Sequence, residues 1–532
     1  MPEPHRTHYD AIVAGSGGGG LTCALTLASQ GARTLLLEKN PHVGGYAHGD
    51  GEQGFYWDHG GHIMLAFRLG MPPREVFERL GIGTRVTMVA DRQDFQCVFP
   101  GERLTMAADL TTTADTLTRR FPTERLGITR VLLDMQAMAA DLEAVLPTFR
   151  APDAPGHRRR GDVILEQFQR PWLGDAFAPL ARRLALPGHT LLKYQNRSLA
   201  SLLDEHLRDP QLKAYLSMLC VGIGTPPSQL SAAVASVFLV HSLNTMFMPT
   251  GGFGAIAEAM RSMFVEAGGT VVTGAEVRRM VLSRGRVTGV ETADGRRFDA
   301  GAVVSAADPR RLYLEHLPRE VVPARLRRRL PTLPTTPPFF QVQLGVDLDL
   351  HAMRKELKRL NFVYTSNDVE QSMARFPGGD VERAAYYLYV ATFHQPEMAP
   401  PGMHSVKLEC PTTLVSGDID WDRDKEAVAD VFVRRAEELI PDLRRHVVVR
   451  RVYTPMDMVR RSGSLDGAFA GWALDARMLH RERPAQRSPV PGLYLAGQWT
   501  RPLAGLPGVM VSGYSTAGLV LKDLGGHPTW RH

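Results

Sequence analysis

An α/β fold is predicted from three observations. A short apolar strand at residues 11–14 runs directly into a glycine-rich turn and then a helix at 21–30. Apolar runs at 339–346, 384–393 and 404–409 read as strands of a second, mixed sheet. Between these parts, residues 104–249 are rich in Leu, Met and Ala at helical spacing. The expected architecture is therefore a Rossmann-type nucleotide domain, a mixed-sheet substrate domain and a helical insertion. The pieces are expected at 1–103, 250–310 and 461–532 for the nucleotide domain, 104–249 for the insertion and 311–460 for the substrate domain.

The turn carries G-x-G-x-x-G as Gly15, Gly17 and Gly20, within the run Gly15, Ser16, Gly17, Gly18, Gly19, Gly20. Gly15 permits the tight turn, Gly17 lets backbone approach a pyrophosphate, and Gly20 lets the helix pack closely on its strand. The free N–H groups and dipole of the helix N-terminus attract phosphate. Gly31 stops the helix, 34–37 is a second apolar strand, and Glu38 stands at its end, where an acid accepts hydrogen bonds from a ribose. Lys39 and Asn40 say little about a 2′-phosphate, so an unphosphorylated adenosine ribose is the expectation.

Gly44 and Gly45 follow, and a second glycine-rich segment fills 492–521, with Gly497, Gln498, Gly508, Val509 and Met510. Two distant glycine-rich segments suit a long, extended cofactor, FAD, better than NAD, whose phosphate site usually lies within one βαβ unit. In the second segment 492–496 reads as a strand, and Gly508 is expected to open a helix whose N-terminus faces the flavin. After Gly45 the chain runs through Tyr46 to the aromatic stretch holding Asp58, His59, Gly60, Gly61 and His62. His62 is a candidate for proton transfer near a flavin, although a lone histidine beside glycines is more often structural.

Farther along, 74–80 reads as a short helix, and 84–101 as strands leaving the nucleotide domain. Within the insertion, 128–146, 163–186, 199–207 and 212–221 are helical stretches; Pro147, Pro152, Pro155 and Gly156 interrupt them beside Arg158, Arg159 and Arg160. A helix opened by residues 251–254 and running to about 267, strands with turns near 283–285 and 294–295, and a buried strand at 302–305 return the chain to the first sheet. A helix at 425–440 follows the second sheet's strands.

Composition excludes several classes. With 532 residues and 44% hydrophobic content the chain buries large cores, and 62 basic against 56 acidic residues leave a formal charge of +6. No basic–aromatic interleaving supports nucleic acid, whereas the arginine clusters suit solvent or an anionic membrane surface. The four cysteines lack C-x-x-C spacing, so neither metal nor disulfide framework is expected, and a reducing cytoplasm fits. The N-terminus has no signal-peptide pattern, and the apolar stretch 232–240 is too short to span a bilayer, leaving peripheral membrane contact as the expectation.

The N-terminal motif with Gly44-Gly45, together with the C-terminal GLYLAG, GLPGV and SG, resembles the FAD-dependent phytoene desaturase, carotenoid isomerase and retinol saturase family. The resemblance covers nearly the whole chain and implies FAD, with backbone at Val277 meeting adenine and Gly60, Gly61 and His62 approaching the flavin. It also implies reaction at a carbon–carbon bond of a long apolar isoprenoid or polyene, by desaturation, saturation or cis–trans isomerisation. Two departures stand out: Tyr46 where relatives commonly have Arg, and Gln498 where many FAD proteins have Asp. No second nucleotide fingerprint is evident, so the electron acceptor is left open. The alternatives are a flavin amine oxidase, for which no clear aromatic pair of a flavin-facing cage is seen, and a non-catalytic prenyl-lipid-binding protein on the same scaffold.

Overall fold

The structure, a computed structural model, describes residues 8–91, 95–107, 109–145, 189–476, 478, 483–500 and 505–525. The arginines at 158–160 and the helical stretch expected at 163–186 lie outside the described residues.

Among the described residues the nucleotide sheet has seven strands. The core pairings are parallel: His8–Ala14 lies between Thr34–Leu37 and Arg297–Ser305, and Thr270–Val272 pairs beyond Thr34–Leu37. Arg297–Ser305 is flanked on its far side by two partners, antiparallel Arg286–Thr292 along its first half and parallel Leu493–Leu495 along its last residues. The C-terminal glycine segment thus joins the same sheet edge-on, its strand ending beside Ser305. Residues 11–14 of the central strand are apolar and buried, as in the interior of a parallel sheet covered on both faces.

Helix Gly18–Ser29 begins before the expected residue 21, since the glycines of the turn are already helical. It packs against the C-terminal helix Gly505–Asp523 at backbone distance: a Cβ on Gly513 would lie 2.1 Å from the carbonyl oxygen of Gly19. Only glycine at position 513 permits this approach.

The second sheet, also seven-stranded, runs in the order Val447–Tyr453, Phe339–Val346, His404–Pro411, Tyr386–Val390, Leu360–Val363, Phe95–Phe99, Glu102–Met106. Among the described residues its only parallel pairing is Leu360–Val363 with Phe95–Phe99, so the expected mixed sheet is present. Phe340, Val342, Leu344, Leu388, Val406 and Leu408 form one face and pack with Val428, Phe432 and Val433 of helix Trp421–Ala436. The other face carries Gln341, Gln343, Tyr387, Tyr389, Lys407 and Glu409, all buried. Strands at Leu360–Val363 and Val447–Tyr453 escape the sequence reading, as does the hairpin Gly49–Glu52 with Phe55–Asp58 that rests on this sheet through Trp57 Nε1 donating to Leu344 O at 3.2 Å.

Within 104–249 the described helices are Leu110–Arg120, Arg125–Val145, His189–Tyr194, Leu199–His206, Pro210–Leu216, Cys220–Ile223 and Ala232–Ser242. The expected helix at 212–221 is divided in two, and both edges of the insertion are strand: Glu102–Met106 in the second sheet and Met246–Pro249 paired with Met88–Asp91. No described helix is long and apolar enough to cross a membrane.

Candidate active site

One cavity of about 600 Å³ runs between the two sheets and the helical insertion. Its first part is walled by the glycine turn, Glu38 and Lys39, by Ser305 and Ala306 at the end of a parallel strand, and by Glu276 and Val277 at the start of strand Val277–Ser283. This crevice outside the carboxyl ends of parallel strands is where α/β sheets bind ligands.

The glycines show what shape the cavity is built for. A Cβ on Gly20 would fall 1.9 Å from the carbonyl oxygen of Gly15, and one on Gly19 2.6 Å from Cα of Gly497, so both are needed for packing. A Cβ on Gly17 would meet no atom within 4 Å: it would point into the cavity. Gly17 also has φ −59° and ψ 168°, which any residue adopts, so backbone conformation does not require glycine there; open access to the helix N-terminus does. These observations fit a bound pyrophosphate and support FAD, which the described residues would hold along Gly15–Gly20, Glu38 and Gly497.

Glu38 is buried and its carboxylate is fully engaged. Oε2 accepts from Ser16 N at 2.9 Å and Ser16 Oγ at 2.6 Å, while Oε1 accepts from Asn40 N at 2.8 Å and Asn40 Nδ2 at 2.7 Å. A ribose hydroxyl bound to Glu38 would have to take the place of one of the two side-chain donors, since a carboxylate offers about four acceptor positions. Lys39 Nζ donates to the carbonyl of Arg460, and burial lowers its pKa.

Of the residues singled out from sequence, Gly15, Ser16, Gly17, Gly18, Gly19, Gly20, Glu38, Lys39, Gly45, Tyr46, Gly60, Gly61, His62, Val277, Gly497, Gln498, Gly508 and Val509 line the cavity. Two do not. Gly44 sits behind the wall with φ 114°, bridging Gly17 and donating from its N–H to Ser16 O at 3.1 Å, so it shapes the turn from behind. Met510 points into the packing between the helices and is fully buried there. The C-terminal helix is already formed at Gly505, placing Gly508 inside its first turn and not at its start.

Beyond Gly60–His62 the wall changes character. Leu191, Leu219, Ile223, Val234, Val237 and Phe238 from the helical insertion face Phe362, Tyr387 and Phe469. Carboxylates do line the cavity, but Glu38, Glu276 and Asp308 all flank strands of the nucleotide sheet.

His62 is where the polar and apolar parts meet. Its Nε2 lies 2.6 Å from Glu409 Oε2 and 3.3 Å from the Tyr387 hydroxyl, and its ring stacks on Tyr389 at 4.3 Å. Tyr387 also donates to Glu409 Oε2; Gln341 Nε2 donates to Oε1 at 2.6 Å, and Lys407 Nζ lies 3.1 Å from Oε1. Lys407 is held further by the carbonyl of Asp58 at 2.6 Å. Burial holds His62 well below the usual imidazole value, pushes Glu409 well above the usual carboxylate value, and pulls Lys407 down. Each shift favours the neutral form, as desolvation requires. Glu409, Lys407 and Tyr387 were not singled out from sequence: Lys407 and Glu409 alternate with apolar residues as on an ordinary half-exposed strand, and Tyr387 stands within an aromatic and apolar run.

All four cysteines are unpaired and buried, and no cluster among the described residues has the make-up of a metal site.

Comparison with known proteins matches residues 19–521 to the family described as flavin containing amine oxidoreductase. The chain is 28% identical to a lycopene-forming phytoene desaturase of Pseudescherichia vulneris, over 96% of this chain and 99% of that protein. It is 25% identical to prolycopene isomerase 1 of an Oncidium hybrid cultivar, over 97% of this chain and 84% of that protein. Among solved structures, putrescine oxidase bound to putrescine superposes with a TM-score of 0.62 at 17% identity, covering 97% of this chain and 99% of that chain, a likeness of fold.

Proposed function

The chain belongs to the flavin containing amine oxidoreductase family, and from that membership we propose that it is an FAD-dependent enzyme acting on carbon–carbon bonds of a long apolar polyene. The observation that carries this reading is the apolar wall beyond Gly60–His62, where no carboxylate among the described residues faces the substrate space to receive an ammonium group. Relatives similar over nearly the full chain, a desaturase and an isomerase of carotenoids by name, support it.

Bound FAD would supply two-electron transfer to or from a substrate carbon. The chain's own residues do the rest. The insertion helices and Phe362 align the apolar chain and exclude water from the reacting carbons. Taking two hydrogens from a carbon–carbon bond also frees a proton, and adding two consumes one. His62 and Tyr387 are the titratable groups on the wall where the apolar part begins, and Glu409 behind them joins Nε2 and the hydroxyl through one oxygen. We assign His62 or Tyr387 to the proton at the substrate and Glu409 to positioning and relaying it. His62→Ala that slows turnover while retaining FAD supports this assignment; equal loss of FAD makes His62 structural.

The same reading includes peripheral contact with a membrane that supplies the apolar substrate. On helix Arg125–Val145, Leu126 is 73% and Leu133 58% exposed, with Arg125 and Arg130 exposed beside them. Apolar residues flanked by arginines are the pattern of an interfacial helix.

A further inference from the structure

We infer that Arg461 supplies the cationic contact to the cofactor's pyrophosphate that Tyr46 cannot make. The inference rests on FAD as the cofactor and concerns how this chain holds it.

Position 46 follows the glycine pair that abuts the phosphate turn: a Cβ on Gly45 would lie 3.1 Å from Cα of Gly17. Tyr46 lines the cavity there, but its hydroxyl is turned to the carbonyl of Gly467 at 3.3 Å, and a phenol brings no positive charge. Arg461, from the last turn of helix Pro455–Ser462, lines the same cavity and also shares a small recess with Tyr46. Its backbone is bound to the nucleotide end of the site, since Asn40 Nδ2 donates to its carbonyl at 3.1 Å and Lys39 Nζ to that of Arg460. A chain segment far away in sequence is thereby fixed beside Glu38 and the glycine turn.

The guanidinium is poorly neutralised for a buried cation. Its nearest carboxylate oxygen, on Asp50, is 3.8 Å away, and that same oxygen is taken up at 2.9 Å by Arg451, at 2.8 Å by His59 and by the Tyr453 hydroxyl. Nη2 donates to His42 Nε2 at 3.2 Å, and buried Nε has no hydrogen-bond partner. The adjacent Arg460 shows the ordinary behaviour of a basic residue in a last helical turn: its side chain is 55% exposed and pairs with Asp422 and Asp457. The Arg461 side chain is only 14% exposed. The Arg461 guanidinium is short of carboxylate partners and belongs to a residue lining a cavity shaped for a dinucleotide, which suits it to an anion that enters with the ligand.

The test is FAD affinity of the full-length chain by flavin fluorescence, with ADP and adenosine as competing ligands, and melting of the protein without ligand. Arg461→Met is expected to weaken FAD and ADP alike by about 10- to 100-fold while leaving adenosine and unliganded melting unchanged. Arg461→Lys should fall between, and Tyr46→Arg added to Arg461→Met should recover affinity. Unaltered FAD affinity in Arg461→Met overturns the inference, as does equal weakening of ADP and adenosine, or loss of unliganded stability in step with FAD. Failure of the unsubstituted chain to bind FAD would instead refute the cofactor assignment.

Discussion

Gly17 and Gly20 belong to one motif, yet the structure separates their roles. Replacing Gly17 by Val places a side chain where no protein atom lies within 4 Å, at φ −59°, so the fold has room for it. The expected loss of stability is about 1 kcal/mol or less, the difference between glycine and an apolar residue at a helix N-cap. The new methyl groups would instead occupy the approach to the helix N-terminus. If two charge-assisted hydrogen bonds to phosphate are lost, at about 1.5–3 kcal/mol each, FAD binds about 10²- to 10⁴-fold more weakly. Gly20→Ala is the counterpart: its Cβ at 1.9 Å from a backbone oxygen forces helix and strand apart, at a cost of about 3 kcal/mol. Thermal melting without FAD, together with fluorescence titration by FAD, separates the two. The reasoning fails if Gly17→Val binds FAD as the unsubstituted chain does, or if it melts as early as Gly20→Ala.

Other outcomes follow from the same geometry. Glu409→Gln should keep FAD but slow turnover by about 10²-fold and alter the pH profile, because the amide cannot relay a proton; an unchanged profile refutes the relay. Burial lowers both His59 and His404 to about 4. The unfolded chain, with ordinary histidines near 6.5, then binds more protons in acid, so their contribution is full above about pH 6.5 and is lost as pH falls toward 4. His404→Gln should flatten the decline of melting temperature across that window, and an identical slope would contradict it. Flotation with anionic liposomes should be reduced by Leu126→Asp combined with Leu133→Asp and by high salt; no binding of the unsubstituted chain at either salt ends the membrane reading.

The nucleotide half was legible in sequence because its chemistry is local. Strand, glycine turn, helix and acid follow one another within residues 8–38, although Gly18 and Gly19 also answer to Leu506 and Gly497 at the far end of the chain. The strand expected at 302–305 and the one at 492–496 were found as apolar runs, and the structure joins them as parallel neighbours. The substrate half was less legible. Strand His404–Pro411 alternates apolar Val406, Leu408 and Cys410 with polar Ser405, Lys407 and Glu409, a pattern that reads as one face in water. Both faces are buried, because the second one looks onto the active site. Period-two alternation cannot distinguish solvent from an enclosed polar cluster. Arg461 was hidden for another reason: its partners Asn40, Tyr46 and Asp50 lie some four hundred residues earlier, and the fold alone brings them together. Gly44 and Met510 were assigned to the cofactor by adjacency to motif residues, whereas helix and turn geometry direct them away from the cavity.

The central claim is chemistry on a carbon–carbon bond of a polyene, and anaerobic mixing tests it most directly. Oxidised and, separately, reduced holoenzyme is mixed with panels of polyenes and amines while flavin absorbance and product mass are followed. The account predicts conversion of a polyene: loss of two hydrogens for desaturation, gain of two for saturation, or unchanged mass with altered geometry for isomerisation. Flavin reduction by amines with every polyene returned unchanged would contradict it.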